Sequence, residues 1–268
     1  MLTYDALVEQ ARQRGMPAGK MRGALREYLQ VLILKEICRA EKGSAFSFTG
    51  GTYLRMLHNL KRFSEDLDFN ADRMTKRQFE ETIRIAGVEL ERKGLEARVS
   101  FKHWGTLYRA DLVFPALEKQ YGVVSRYSKK EGITIKAEVH RPKWTIVQET
   151  GVVSGFGEIY PCSCTAASCL FADKIDALRK KTRGRHLYDI FFLLSHQCPV
   201  DRKALAVFGI TGDPLLAIRE RVESFSAKEL EDQAETLRPF LFDESEADLI
   251  ASAPVTLKAL LERYHPEK

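Results

Sequence analysis

Residues 46–70 read F-S-F-T-G-G-T-Y-L-R-M-L-H-N-L-K-R-F-S-E-D-L-D-F-N, and their order decides the fold. The pattern predicts a short apolar strand, a double-glycine turn at Gly50, Gly51 and Thr52, an amphipathic helix, a basic turn and a second strand. Side chains alternate along a strand, so Asp66 and Asp68 share one face while Leu67 and Phe69 face the core. Glycine lets a phosphate approach the backbone, and the free N–H groups of a helix start attract an anion. Paired carboxylates close by can hold a divalent ion.

Working outward, the apolar residues Met21, Leu25, Leu29, Leu32, Ile33 and Ile37 recur at helical spacing and predict a helix over 20–42. On the other side, Thr75 caps a helix running to about residue 93, with Phe79, Ile83, Ile85, Val88 and Leu90 as its buried side. Strands are expected over 97–103, 107–114 and 133–140, with a further short one over 145–148. The stretch 118–131 reads as a polar, basic and mobile loop. In the third strand Thr134, Lys136, Glu138 and His140 share a face, which makes Glu138 a third carboxylate if that strand neighbours the one bearing Asp66 and Asp68. Asp111 competes for that role, and a solvated sheet face accounts for the same alternation. Glycines over 151–157 and Pro161 read as a bend and a domain boundary, giving a core over 1–160 and a helical domain over 161–268.

Two charges interrupt apolar helices in the second half. Lys174 lies along the stripe formed by Leu170, Phe171, Ile175 and Leu178, and Asp189 is the acid within L-Y-D-I-F-F-L-L. Each needs a partner, because an unpaired buried charge is expensive. For Asp189 the candidates are Lys174, Arg179 and Arg185; a triphosphate would serve Lys174. A salt bridge that only locks the helices together is the structural alternative. Between them R-K-K-T-R-G-R carries Arg179, Lys180, Lys181, Arg183 and Arg185, a basic run that fits either a solvated turn or RNA phosphates.

Composition bounds the function. With 44% hydrophobic and 29% charged residues the 268-residue chain is an ordinary globular protein, and its net charge of +5 is compatible with nucleic acid or nucleotide partners. No apolar run approaches the roughly 18 residues of a membrane-spanning helix, and the first residues lack the pattern of a signal peptide, so a cytoplasmic protein is expected. Cys162, Cys164 and Cys169 lack a fourth ligand at zinc spacing, which leaves small buried thiols as their reading. The absence of a His-x3-His pair argues against a histidine-built metal site.

Gly50-Gly51-Thr52 with Leu54-Arg55, then R-F-S-E-D-L-D-F over 62–69, then D-K-I-D-A-L over 173–178 and R-H-L-Y-D-I over 185–190, occur in an order that resembles the AbiEii/AbiGii nucleotidyltransferase-like toxins, MenT-like members of the DNA polymerase β nucleotidyltransferase superfamily. The resemblance covers residues 20–200. It differs in Thr52, where serine is frequent, in a longer gap from the glycines to Asp66, and in His186 after Arg185.

The resemblance implies an α+β fold, a polymerase β-like mixed sheet flanked by helices with a C-terminal helical region. It implies metal-dependent nucleotidyl transfer, with Asp66, Asp68 and Glu138 holding Mg²⁺ or Mn²⁺. Gly50, Gly51 and Thr52 would bind the NTP phosphates, with Arg55 and Arg62 as further contacts. Lys174 would neutralise the pyrophosphate, and Asp189 would position Lys174 or take part in proton transfer. It also implies a toxin of a type IV-like toxin–antitoxin or abortive-infection system, acting on RNA with tRNA 3′ ends favoured and held in check by a cognate antitoxin. Transfer onto a protein or small molecule, and a catalytically idle nucleotide-binding module, are the rival readings. Asp-x-Asp glycosyltransferases also bind nucleotides through a metal, but they need neither the upstream glycines nor the helices of Lys174 and Asp189.

Overall fold

The computed structural model describes residues 1–123 and 132–266, so most of the loop expected over 118–131 lies outside the described residues. In chain order the elements are α1 (Tyr4–Gln13), α2 (Met21–Arg39), β1 (Ser47–Thr49), α3 (Gly50–His58), β2 (Asp66–Asn70), α4 (Lys76–Arg92), β3 (Arg98–Trp104), β4 (Leu107–Phe114), α5 (Leu117–Gln120), β5 (Ile133–His140), β6 (Gln148–Gly155), β7 (Glu158–Thr165), α6 (Ala167–Lys180), α7 (Gly184–Ser195), α8 (Arg202–Val207), α9 (Pro214–Glu223), α10 (Ala227–Leu237), α11 (Asp248–Ala251) and α12 (Ala253–Arg263). The fold is α+β, with a mixed sheet and helices. The chain divides into two compact units, the first formed by Met1–Asn59, Phe63–Pro142 and Gln148–Cys164, the second by Leu60–Arg62, Lys143–Val147 and Thr165–Lys268.

The first unit is built on a seven-stranded sheet of order β3-β4-β5-β2-β1-β7-β6. The central strands set the register that matters. β1 runs antiparallel to β2, pairing Thr49 with Asp68, and β2 runs parallel to β5, pairing Asp68 with Glu138 and Asp66 with Lys136. Alternation places Leu67 and Phe69 at zero exposure beneath the acids. There Phe69 meets Phe46 edge-on at 5.4 Å and Phe48 at 5.6 Å, aromatic contacts that hold the acid-bearing strand to the core.

α2 packs against β5, β6 and α4 and is buried on nearly every face. A helix so placed must satisfy its polar residues internally. Glu27 takes Arg14 and Arg55, Gln30 donates to the Ser64 carbonyl, and Glu36 takes Lys93. α4 begins as expected, with Thr75 and Gln78 forming a reciprocal capping box. Its buried stripe is Phe79, Thr82, Ile83, Ala86 and Leu90, whereas Ile85 and Val88 are each 47% exposed. Those two side chains fall off the i, i+3, i+4, i+7 line that the other residues share.

The expected bend over 151–157 is instead a strand pair, β6 and β7. They are joined by Phe156 and Gly157, both at positive φ (54° and 78°), the backbone pattern of a two-residue hairpin turn. The glycines that read as breakers admit close neighbours: a Cβ at Gly151 would strike Leu57, and one at Gly155 would strike the Arg14 guanidinium. Pro161 is tolerated because β1 is only three residues long and meets β7 at Phe48–Cys164, which leaves that end of β7 without a strand on one side.

The second unit is helical. α6 packs on α7, α8 and α9, and α7 also meets α10, α11 and α12. The short segment Leu60–Arg62 belongs here, held by an antiparallel bridge between Arg62 and Leu241 and by Phe242 N–H donating to the Lys61 carbonyl at 3.0 Å. All five cysteines are free thiols, four of them buried. No helix among the described residues is long and apolar enough to cross a membrane.

Candidate active site

Asp66 and Asp68 stand half-buried on one face of β2. The parallel neighbour β5 brings Glu138 alongside Asp68, and His140, two residues further on, points from the same face. Donor atoms of Asp68, Glu138 and His140 all lie within 4.8 Å of one another, a spacing that one metal ion can bridge. Asp66 is not among those three; its carboxylate faces Lys136 at 3.6 Å. The Glu138 carboxyl is held below the usual carboxylate range, first by the imidazole of His140 beside it and then, against the cost of burial, by Arg109 and Lys136. Glu138 is therefore ionised at neutral pH, as a metal ligand must be. Asp111, the alternative third acid, sits one strand away and is engaged by Arg109 at 2.6 Å and Lys102 at 3.4 Å.

The glycine pair is the first turn of α3 and not a separate turn, since the helix begins at Gly50. Gly50 has φ +83°, and a Cβ there would collide with the Asp68 carboxylate. Only glycine satisfies both constraints, so the glycine and the acid are required together. Thr49 at the N-cap makes no side-chain cap, which leaves the N-terminal N–H groups of α3 without the usual internal acceptor. The Thr52 hydroxyl, fully buried, donates to the Asp66 carbonyl and fastens α3 to β2.

The arginines expected at phosphates are committed elsewhere. Arg55 is 2% exposed and bonds Glu27 at 2.9 Å, with Asn59 at 3.2 Å. Arg62, 4% exposed, forks onto Asp189 through Nε (2.7 Å) and Nη2 (2.8 Å). Such bidentate pairing matches guanidinium geometry to a carboxylate.

Within the second unit Asp189 also accepts from Lys174 Nζ at 2.7 Å. Burial alone would push the Asp189 carboxyl up; Arg62 and Lys174 more than offset this and hold it well below the usual carboxylate range. His186, one turn before Asp189, has no hydrogen-bond partner on either ring nitrogen among the described residues. Burial, then the Lys174 charge, push its pKa down to about 3, so the ring is neutral. Of the basic run, Arg179, Lys180, Lys181 and Arg183 are exposed and Arg185 is half-buried. Lys180 pairs with Asp176 at 2.6 Å. Among the described residues no carboxylate pairs with Arg179, Lys181, Arg183 or Arg185.

The functional candidate that sequence reasoning passed over is His140. The signal was its place on the face of Lys136 and Glu138, obscured by a search for paired histidines at helical spacing. Arg62 as a partner of Asp189 had no local signal, the two being 127 positions apart.

The family model for the AbiEii nucleotidyl transferase toxin of type IV toxin–antitoxin systems matches residues 32–253. No curated protein matches in sequence. Among solved structures, MenT4, a nucleotidyltransferase toxin from Mycobacterium tuberculosis H37Rv, is similar at TM-score 0.60 and 19% identity, over 98% of this chain and 90% of that one. JHP933 from Helicobacter pylori is similar at TM-score 0.54 and 18% identity, over 91% of this chain and 93% of that one.

Proposed function

Because the chain belongs to the AbiEii family of nucleotidyl transferase toxins, we propose that it is a metal-dependent enzyme that moves a nucleoside monophosphate from an NTP onto RNA, with a tRNA 3′ end as the favoured acceptor and a cognate antitoxin as its regulator. The observation that carries the metal dependence is the register of β2 and β5, which sets Asp68 against Glu138 and gathers their oxygens with His140 within 4.8 Å. That donor set fits a divalent ion of the Mg²⁺ or Mn²⁺ kind, with Asp66 on the same strand face as a further ligand. When bound, such ions stabilise the attacking and leaving oxygens of an in-line displacement at phosphorus.

The residues of the chain do the rest. In the transfer, an acceptor hydroxyl oxygen forms a bond to the α-phosphorus, the bond from that phosphorus to the bridging oxygen breaks, and pyrophosphate leaves. The hydroxyl proton passes to solvent or to a carboxylate. The uncapped start of α3 at Gly50, Gly51 and Thr52 would cradle phosphate oxygens through backbone N–H groups. Lys174 is the proposed cation for the pyrophosphate. Asp189 has zero exposure and so acts as a positioning residue, fixing the Lys174 ammonium and the Arg62 fork. The exposed cations Arg179, Lys181 and Arg183, with no carboxylate partner among the described residues, support RNA over a small-molecule acceptor.

The test supplies each of four α-labelled NTPs with total tRNA, total protein and Mg²⁺ in separate arms. Label on tRNA that Asp66→Ala abolishes is expected. No label on tRNA with any NTP would exclude that acceptor, and label on protein would redirect the assignment.

A further inference from the structure

We propose that His140 supplies a nitrogen ligand to the divalent ion held by Asp68 and Glu138, and so biases the site toward Mn²⁺, Co²⁺ or Zn²⁺ over Mg²⁺. This rests on the reading that those two carboxylates hold an ion.

Three features converge. His140 ends β5 with its backbone fixed, its carbonyl accepting from Ala71 N–H at 2.9 Å, so the ring projects from a rigid base. Its Nε2 lies 3.7 Å from Glu138 Oε2. With Asp68 the three donors span no more than 4.8 Å. The imidazole is 49% exposed, so taking up a metal ion in place of water does not require opening the core.

Donor type also discriminates among ions: an imidazole nitrogen would favour transition-metal ions, whereas Mg²⁺ prefers an oxygen shell that keeps several waters. The competing explanation for the 3.7 Å approach is a plain ion pair between a protonated His140 and Glu138. In that case removing His140 would leave metal preference unchanged.

The experiment uses the full chain. Mn²⁺ binding is followed by the loss of the free-ion signal in electron paramagnetic resonance, Mg²⁺ by competition, and ligation by pulsed measurement of ¹⁴N coupling to bound Mn²⁺. Wild type should show ¹⁴N coupling. His140→Gln should lose it and bind Mn²⁺ at least about tenfold more weakly, since even outer partners of metal ligands are worth about 10–100-fold. Mg²⁺ affinity should move by less than about twofold. His140→Ala should repeat the result, and the exposed strand-end position makes both variants compatible with folding. Absence of ¹⁴N coupling in wild type, or an unchanged Mn²⁺:Mg²⁺ ratio in both variants, would overturn the assignment of His140 and leave the carboxylate site standing. Mn²⁺ binding that survives Asp68→Asn would overturn the carboxylate site and the histidine together.

Discussion

Asp189→Asn removes one charge and almost no volume from the second unit, and its cost follows from the three contacts the carboxylate makes. Arg62 gives two of them and Lys174 the third, all between 2.7 and 2.8 Å, with Asp189 at zero exposure. Asparagine removes the anion that these two buried cations share, a loss that costs about 3–5 kcal/mol. That is a large part of the roughly 5–15 kcal/mol that stabilises a folded domain. With a urea slope of about 3 kcal/mol/M, the unfolding midpoint should fall by about 1–1.7 M.

The assay is available in the sequence. Of the two tryptophans, Trp144 lies buried in the second unit and Trp104 is 53% exposed in the first. In a Trp104→Phe background, Trp144 emission reports the second unit alone. The triple change Arg62→Met, Lys174→Met, Asp189→Leu should recover most of the lost stability, because a buried ion cluster replaced whole by apolar groups is often neutral or better. The pH dependence has a definite sign. The Asp189 carboxyl is depressed in the folded state, so its stabilisation is complete above the unfolded value of about 3.9 and is lost as pH falls further. The gap between wild type and Asp189→Asn should be constant from pH 5 to 7 and shrink below about pH 4. A midpoint within about 0.2 M of wild type at pH 7 would refute the buried-pair reasoning, since it corresponds to well under 1 kcal/mol.

Gly50→Ala and Gly105→Ala separate backbone strain from collision: both glycines have positive φ, but only Gly50 carries the Asp68 carboxylate against it. Each should lose about 1–2 kcal/mol by urea denaturation for the left-handed backbone, while Gly50→Ala alone should also lose divalent-ion affinity by calorimetry. Replacing Arg179, Lys181 and Arg183 by glutamine should weaken tRNA binding and lower the slope of log K against log salt by about 2, at about 0.7 per phosphate contact on single strands. Unchanged slope would remove the basic run from the RNA interface.

What was legible in the chain was whatever depended on local periodicity. Alternation in D-L-D-F-N and in I-T-I-K-A-E-V-H placed the acids and Glu138 on defined faces, and the capping pair Thr75 and Gln78 fixed the start of α4. Less legible was anything set by distant packing. Gly151 and Gly155 look like breakers in isolation, yet they lie within a strand because Leu57 and Arg14 occupy the space a side chain would need. Arg62 reads as a phosphate contact four positions before Asp66, until a carboxylate on α7 takes its whole fork. His140 was hidden by its type: one imidazole among carboxylates matches no histidine spacing motif, and although it shares a strand face with Glu138, only the cross-strand register brings it to Asp68.

The most direct measurement compares one NTP labelled at the α-phosphate with the same NTP labelled at the γ-phosphate, in a single turnover with tRNA and Mn²⁺ or Mg²⁺. Nucleotidyl transfer by the Asp68–Glu138 site puts the α label on RNA and releases the γ label as pyrophosphate, and Asp68→Asn or chelation of the metal stops both. Appearance of the γ label on RNA, or α transfer at the wild-type rate in Asp68→Asn, would contradict it.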